Sequence, residues 1–157
     1  MGKLPTRILA AVLFALCFTV CSLAAGAGET GANADGEFMA DITITIGGET
    51  FAAGLYDNVT ARTLLAMLPL TMAMSDLNGN EKFFRLGESL PASSTEHPAV
   101  IRAGEIMLWS GNTLVLFYET FSNSYGGYVR LGMAEDTSRL RAALGRGNVT
   151  VTITAAN

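Results

Sequence analysis

The chain has 157 residues, half of them hydrophobic and 15% charged, with a net charge of −4 at pH 7. That length accommodates one domain with a core of its own. No basic cluster runs through it, which argues against nucleic acid and an anionic membrane surface as partners.

Residues 1–27, MGKLPTRILAAVLFALCFTVCSLAAGA, carry Lys3 and Arg7, then an apolar run from Ile8 to Val20, then small residues. Ala25-Gly26-Ala27 fits the small-x-small cleavage pattern, and the run is too short to span a bilayer. The expectation is a secretory signal peptide and a periplasmic or extracellular domain, soluble after cleavage near Ala27 and without a membrane span. Cys17 and Cys21 are the chain's two cysteines, and both fall in this leader. The mature domain is then expected to lack disulfides and thiol chemistry. A lipid anchor at Cys21 is the alternative reading. Val20 speaks against it, because a lipoprotein signal wants a small residue before the cysteine. Loss of the leader removes Lys3, Arg7 and no acidic residue, which takes the net charge to −6.

Residues 28–40, GETGANADGEFMA, are Gly, Ala and polar, with no period. They read as a flexible linker ahead of a domain at 41–157. Asp41 to Ile46 alternates strictly, as a half-buried strand does. Gly47-Gly48 signals a two-residue hairpin, and Glu49 to Leu55 returns with Phe51, Ala53 and Leu55 on one face. Gly54 suggests a bulge. Asp57 or Asn58 caps a helix over Val59–Leu68, with Ala61, Leu64, Leu65 and Leu68 as its apolar stripe. Pro69 ends it.

Strands are predicted over Leu70–Ser75 and Lys82–Leu86, with a turn at 76–81 between them. A long polar loop, Gly87 to Val100, contains Pro91, His97 and Pro98. The central pair follows: Ile106 to Trp109, a turn at Ser110-Gly111-Asn112, and the apolar run Leu114 to Tyr118. Such a run reads as a buried strand. It delivers an aromatic loop, FSNSYGGY, and loops on rigid scaffolds are where sites usually sit. Tyr128 to Met133 is a further strand. Asp136 is expected to cap a second helix, Thr137–Leu144, stopped by Gly145. Asn148 to Thr154 is the last strand. Strands at both ends predict a mainly β barrel whose first and last strands pair, with two short helices.

Few arrangements suggest chemistry. The turn at Asp76–Glu81 fails the calcium-loop pattern, because Glu81 stands where that pattern needs Gly. His97 has no second histidine or cysteine to share a metal. There is no nucleophile elbow and no phosphate loop. No cofactor and no metal are expected. Tyr125 and Tyr128, around Gly126-Gly127, are suited to ligand contact, because tyrosine combines apolar area with a hydroxyl.

The order of elements resembles the bacterial cyclophilin-like proteins, a branch of the cyclophilin fold. LYDNVTARTLLAMLPL is similar to their strand-to-helix passage, and VRLGMAEDTSRLRAALGRGNVTVTI to their closing strand–helix–strand unit. MSDLNGNEKFF, ESLP and LVLFYETFSNSY followed by RLG resemble motifs of the branch itself. The resemblance covers Ile42 to Ile153. It implies a closed eight-stranded barrel with two helices packed over its ends. In true cyclophilins a groove on the barrel wall binds an X-Pro peptide, and an arginine weakens the amide's double-bond character against a barrier of roughly 18–20 kcal/mol.

By this resemblance Arg85, preceded by Phe83-Phe84, matches the catalytic arginine, and Phe117 matches a phenylalanine of the proline pocket. The ligand surface then comprises Phe83, Phe117, Phe121, Tyr125 and Tyr128. No Phe-Met-x-Gln follows Arg85, and the later groove segment has neither tryptophan nor histidine. Two readings follow: a module binding a peptide or small molecule, favoured by these departures, or a peptidyl-prolyl isomerase of low or specialised activity.

Overall fold

The structure, a computed structural model, describes residues 37–156. The leader with Cys17 and Cys21, and most of the expected linker, lie outside the described residues. In chain order the elements are β1 (Phe38–Ile46), β2 (Glu49–Tyr56), α1 (Val59–Ala66), β3 (Leu70–Leu77), β4 (Glu81–Arg85), β5 (Val100–Ile101), β6 (Glu105–Trp109), β7 (Thr113–Phe117), β8 (Phe121–Ser122), β9 (Tyr128–Ala134), α2 (Leu140–Leu144) and β10 (Val149–Ala155). Eight strands close an antiparallel barrel in the order β1-β10-β3-β4-β7-β6-β9-β2, while β5 and β8 form a separate pair. This is the mainly β barrel with two short helices that the sequence predicts.

Closure follows from alternation. In β1, Ile42, Ile44 and Ile46 are buried while the threonines between them are half-buried, so one face of the strand lines the interior. Gly47 and Gly48 both take positive φ, 57° and 89°, as a tight hairpin turn demands. β10 pairs with β1 from Ile42↔Ala155 to Ile46↔Val151, and this contact leaves the barrel without an open edge.

β1 starts at Phe38, inside the stretch expected to be linker. Its ring lies 5.2 Å from that of Tyr56 and covers Gly54. A Cβ on Gly54 would collide with that ring, and one on Gly132 would collide with the Gly54 carbonyl. Gly54 therefore marks a close approach of β1, β2 and β9. The register shift lies across from it, in β1 between Phe38 and Ala40.

Asn58 caps α1: its side-chain oxygen accepts from Ala61 N–H at 2.9 Å. Its amide nitrogen donates to Arg130 O at 2.8 Å, which ties the helix to β9. Asp57 instead pairs with Arg62. The helix ends at Ala66, two residues before Leu68; Ala61 and Leu64 are buried, and Leu65 and Leu68 pack partly against the interior.

The second helix is shorter than expected. Asp136 does not cap it. Its carboxylate accepts from Ser138 N–H at 2.9 Å, forming a turn upstream, and α2 begins only at Leu140 behind Arg139, which makes no side-chain cap. Gly145 ends it at φ 58°, as predicted. Leu140 and Leu144 join the interior cluster with Ala61 and Leu64 of α1.

Candidate functional site

A second apolar cluster forms on the outer side of the barrel wall. Side chains directly opposite in an antiparallel pair share a face. In β4 the parity sends Lys82 and Phe84 inward and Glu81, Phe83 and Arg85 outward. Phe84 accordingly packs on the interior cluster and Phe83 on the outer one. Across β4 and β7 the outward pairs are Glu81↔Phe117, Phe83↔Val115 and Arg85↔Thr113. Met107 and Trp109 of β6 continue these rows opposite Val115 and Thr113, and Arg130 and Tyr128 of β9 extend them.

Ile101, Met107, Val115, Phe117 and Tyr128 are the buried members of this cluster, with Phe83 and Phe121 at its margin. The Phe117 ring lies 5.9 Å from Phe121 and 6.2 Å from Tyr128, the latter edge-on. Such pairs add roughly 0.5–1.5 kcal/mol beyond their buried area. The structure thus brings Phe83, Phe117, Phe121 and Tyr128 together, in two layers. Phe117 is 0% exposed and Tyr128 6%, so these two form a floor rather than a contact surface. Tyr125, at 68%, faces solvent.

The aromatic loop is held in place on this floor. β5 pairs with β8, placing Ile101 opposite Phe121. The Asn123 amide donates to Pro98 O at 2.8 Å and to Tyr125 O at 2.6 Å, and its oxygen accepts from Tyr125 N–H at 3.1 Å. The Trp109 indole N–H donates to Gly126 O at 3.1 Å. His97 packs against Gly126 and is exposed, with no metal-binding group of three or more His, Cys, Asp or Glu among the described residues.

Arg85 is exposed at the end of β4, and its side chain has no hydrogen bond or ion pair among the described residues. On the same face, Glu81 is half-buried against the aromatic floor and also without a partner. Burial, and secondarily the charge of Asp76, push its carboxyl up to about 7. Burial pushes the Tyr128 hydroxyl up as well, helped by Glu81 and then Tyr125, so these three groups share one electrostatic neighbourhood.

Behind β4 the situation is reversed. Lys82 is fully buried, and its ammonium donates to Asp76 Oδ1 at 2.7 Å, Gly145 O at 2.9 Å and Gly147 O at 2.7 Å. It sits 5.4 Å from the centre of the Tyr118 ring, whose hydroxyl donates to the same Asp76 oxygen at 2.5 Å. The hydrogen bonds from Lys82 and Tyr118 hold the Asp76 carboxyl below the usual range. Burial, then the bond to Asp76, pushes the Tyr118 hydroxyl up to about 12. This network fastens the segment after α2 to the barrel end.

A separate polar cleft of about 460 Å³ opens between the start of α1, the 93–96 segment and β9, lined by Asp57, Asn58, Thr60, Glu96 and Arg130 among others. None of the residues expected to form a site lies in it. Arg130 is engaged there with Glu96 and with buried Glu105, both at 3.0 Å.

The sequence model of the cyclophilin-like family matches residues 44–154. The chain belongs to this family. No curated protein and no solved structure matches. The match begins within β1 and ends within β10, so the cyclophilin-like domain takes in every barrel strand, the outer wall and the buried lysine network.

Three residues of this domain escape the sequence reading. Trp109 closes an apolar run, yet it is 38% exposed on the wall. Counting outward from Met107 by twos would have placed it there. Glu81 hides in a turn motif, although it is in step with Phe83 and Arg85. Lys82 carries no signal, because lysine is rarely fully buried unless paired and its partners come from β3 and the α2–β10 segment.

Proposed function

We propose that this cyclophilin-like protein is an exported binding module that receives a peptide or small ligand on the outer aromatic wall formed by β4, β7, β6 and β9. The observation that carries the reading is the layering of that wall. Buried Phe117 and Tyr128 form a rigid floor, and Phe83, Trp109, Phe121 and Tyr125 are accessible in part above it. Accessible aromatics on a preorganised backbone bind at low entropic cost. Export rests on the leader pattern of residues 1–27, and the intact mass of the exported protein tests it: retention of residues 1–27 would defeat cleavage, and a diacylglycerol mass on Cys21 would make it a lipoprotein.

One observation favours the second reading, a peptidyl-prolyl isomerase. Arg85 stands exposed, without a partner among the described residues, two residues from Phe83 on the same face. A guanidinium keeps its charge at any relevant pH and offers a fixed fork of donors to a twisting amide. The glutamine, tryptophan and histidine that accompany this arginine in the cyclophilin pattern are missing from the matching segments, which is why binding without catalysis is the preferred function. A protease-coupled proline-isomerisation assay decides between the two. No acceleration over the uncatalysed rate is expected, and clear turnover would overturn the preference.

A further inference from the structure

One residue at the edge of the wall carries an acceptor that lacks a donor. The Glu81 carboxyl is half-buried opposite Phe117 and forms no hydrogen bond or ion pair among the described residues. Leaving such groups unsatisfied is costly, and more so for a charge beside apolar surface.

The surroundings do not resolve this need. On β3 the residue opposite Glu81 is Leu77, which is exposed and apolar. Asp76 is a like charge, already engaged with Lys82 and Tyr118. On β6, Glu105 is bound by Arg130 and by Arg102 N–H. The Tyr128 hydroxyl, pushed up by burial and by Glu81, forms no hydrogen bond with that carboxyl among the described residues. Arg85 lies four residues along the extended strand, about 13 Å away by backbone rise. The fold therefore supplies an acceptor and aromatic faces here, and the cation of the wall, Arg130, is taken up by Glu96 and Glu105.

We propose that the ligand of this wall is a peptide segment bearing a basic side chain, whose cationic head meets Glu81 while a neighbouring apolar side chain rests on Phe83. This rests on the reading of the wall as a binding surface and specifies its ligand class. A lysine ammonium brings three donors, and aromatic faces favour a cation further. The carboxyl changes charge around neutrality, so the site reads its ligand in the ionised state and releases it on acidification.

The test compares N-acetyl-phenylalanyl-lysine amide with its norleucine counterpart, which keeps the chain and loses the ammonium. Binding to the protein is followed by amide chemical shifts of residues 81–85, 107–109 and 125–128. At pH 8 the lysine peptide is expected to bind at least about tenfold tighter than the norleucine peptide, a difference one partly desolvated ion pair supplies. That preference should vanish at pH 5.5 and, at pH 8, in Glu81→Gln. The near-isosteric Gln variant folds without the unpaired charge, and it separates Glu81 from His97, which also lies beside the wall. Equal binding of the two peptides, or a preference that survives in Glu81→Gln, overturns the inference and leaves the wall a binding surface. Absence of any shift at the wall with either peptide overturns both.

Discussion

Glu81 and Lys82 are consecutive residues on β4, and the pleat of the strand points them to opposite faces. Lys82 goes inward, loses all contact with water and acquires three acceptors plus an aromatic ring. Glu81 goes outward, loses part of its hydration and acquires no partner among the described residues. A buried charge persists only when fully paired, so the lysine is structural: it fastens the end of α2 to the barrel. The glutamate has no such compensation among the described residues. An uncompensated charge in an aromatic setting is the feature on which the proposed basic ligand rests.

The sharpest way to break this contrast is on the inner side. Asp76→Ala leaves the Lys82 ammonium buried with two carbonyls and no counter-charge. The expected loss is about 3–5 kcal/mol in urea unfolding. A loss below about 1 kcal/mol would mean that Lys82 escapes to water and that the network is not a clamp. On the outer side, Arg85→Ala is expected to leave the thermal midpoint nearly unchanged, since an exposed strand arginine contributes little. In the isomerase reading it would also remove about 10²–10³ of the rate. Activity undiminished in that variant would take Arg85 out of any mechanism.

The two carboxyls should also govern opposite limbs of the pH–stability curve. Asp76 has a lowered pKa in the fold, so its stabilisation is present above its unfolded value of 3.8 and is lost as pH falls through the folded one. Glu81 has a raised one. Between its unfolded value of 4.5 and about 7 the native state holds the proton more tightly, so stability falls as pH rises through that window. Glu81→Gln should therefore raise the midpoint at pH 8 by about 2–4 °C, a figure reduced for solvent screening, and leave it unchanged at pH 4. Equal effects at both pH values would show that the carboxyl is as hydrated as any surface glutamate. The smallest effect is expected for Arg62→Ala, which breaks the exposed pair with Asp57. Chemical denaturation should register less than about 0.5 kcal/mol, and a larger loss would show that α1 depends on more than its Asn58 cap.

Barrel closure was legible because alternation is a local property. Ile42, Ile44 and Ile46, and Val151 and Ile153, advertise their inward faces whatever they pair with. The aromatics of the wall were legible on other grounds, Phe83 and Phe117 through the family resemblance and Phe121, Tyr125 and Tyr128 through the composition of the loop. Helix boundaries were less so. Asp136 has the chemistry of a cap, but its carboxylate satisfies the nearer Ser138 amide instead, and α2 starts late. Phe38 looked like linker because its reason for order, the bare backbone of Gly54, lies on another strand.

By itself the sequence determined the β class, the first-to-last closure, the hairpin turns and the set of aromatics available for a site, since these depend on period, glycine placement and composition. Tertiary structure alone decided which aromatics are floor and which are surface. Phe117 is sealed by Phe121, Ile101 and Tyr128, which arrive from three other segments. It also decided the fates of the two adjacent charges on β4. Burial and pairing are set by what the neighbouring strands and the α2–β10 segment bring to each face, and no window of the chain around residues 81 and 82 contains that information.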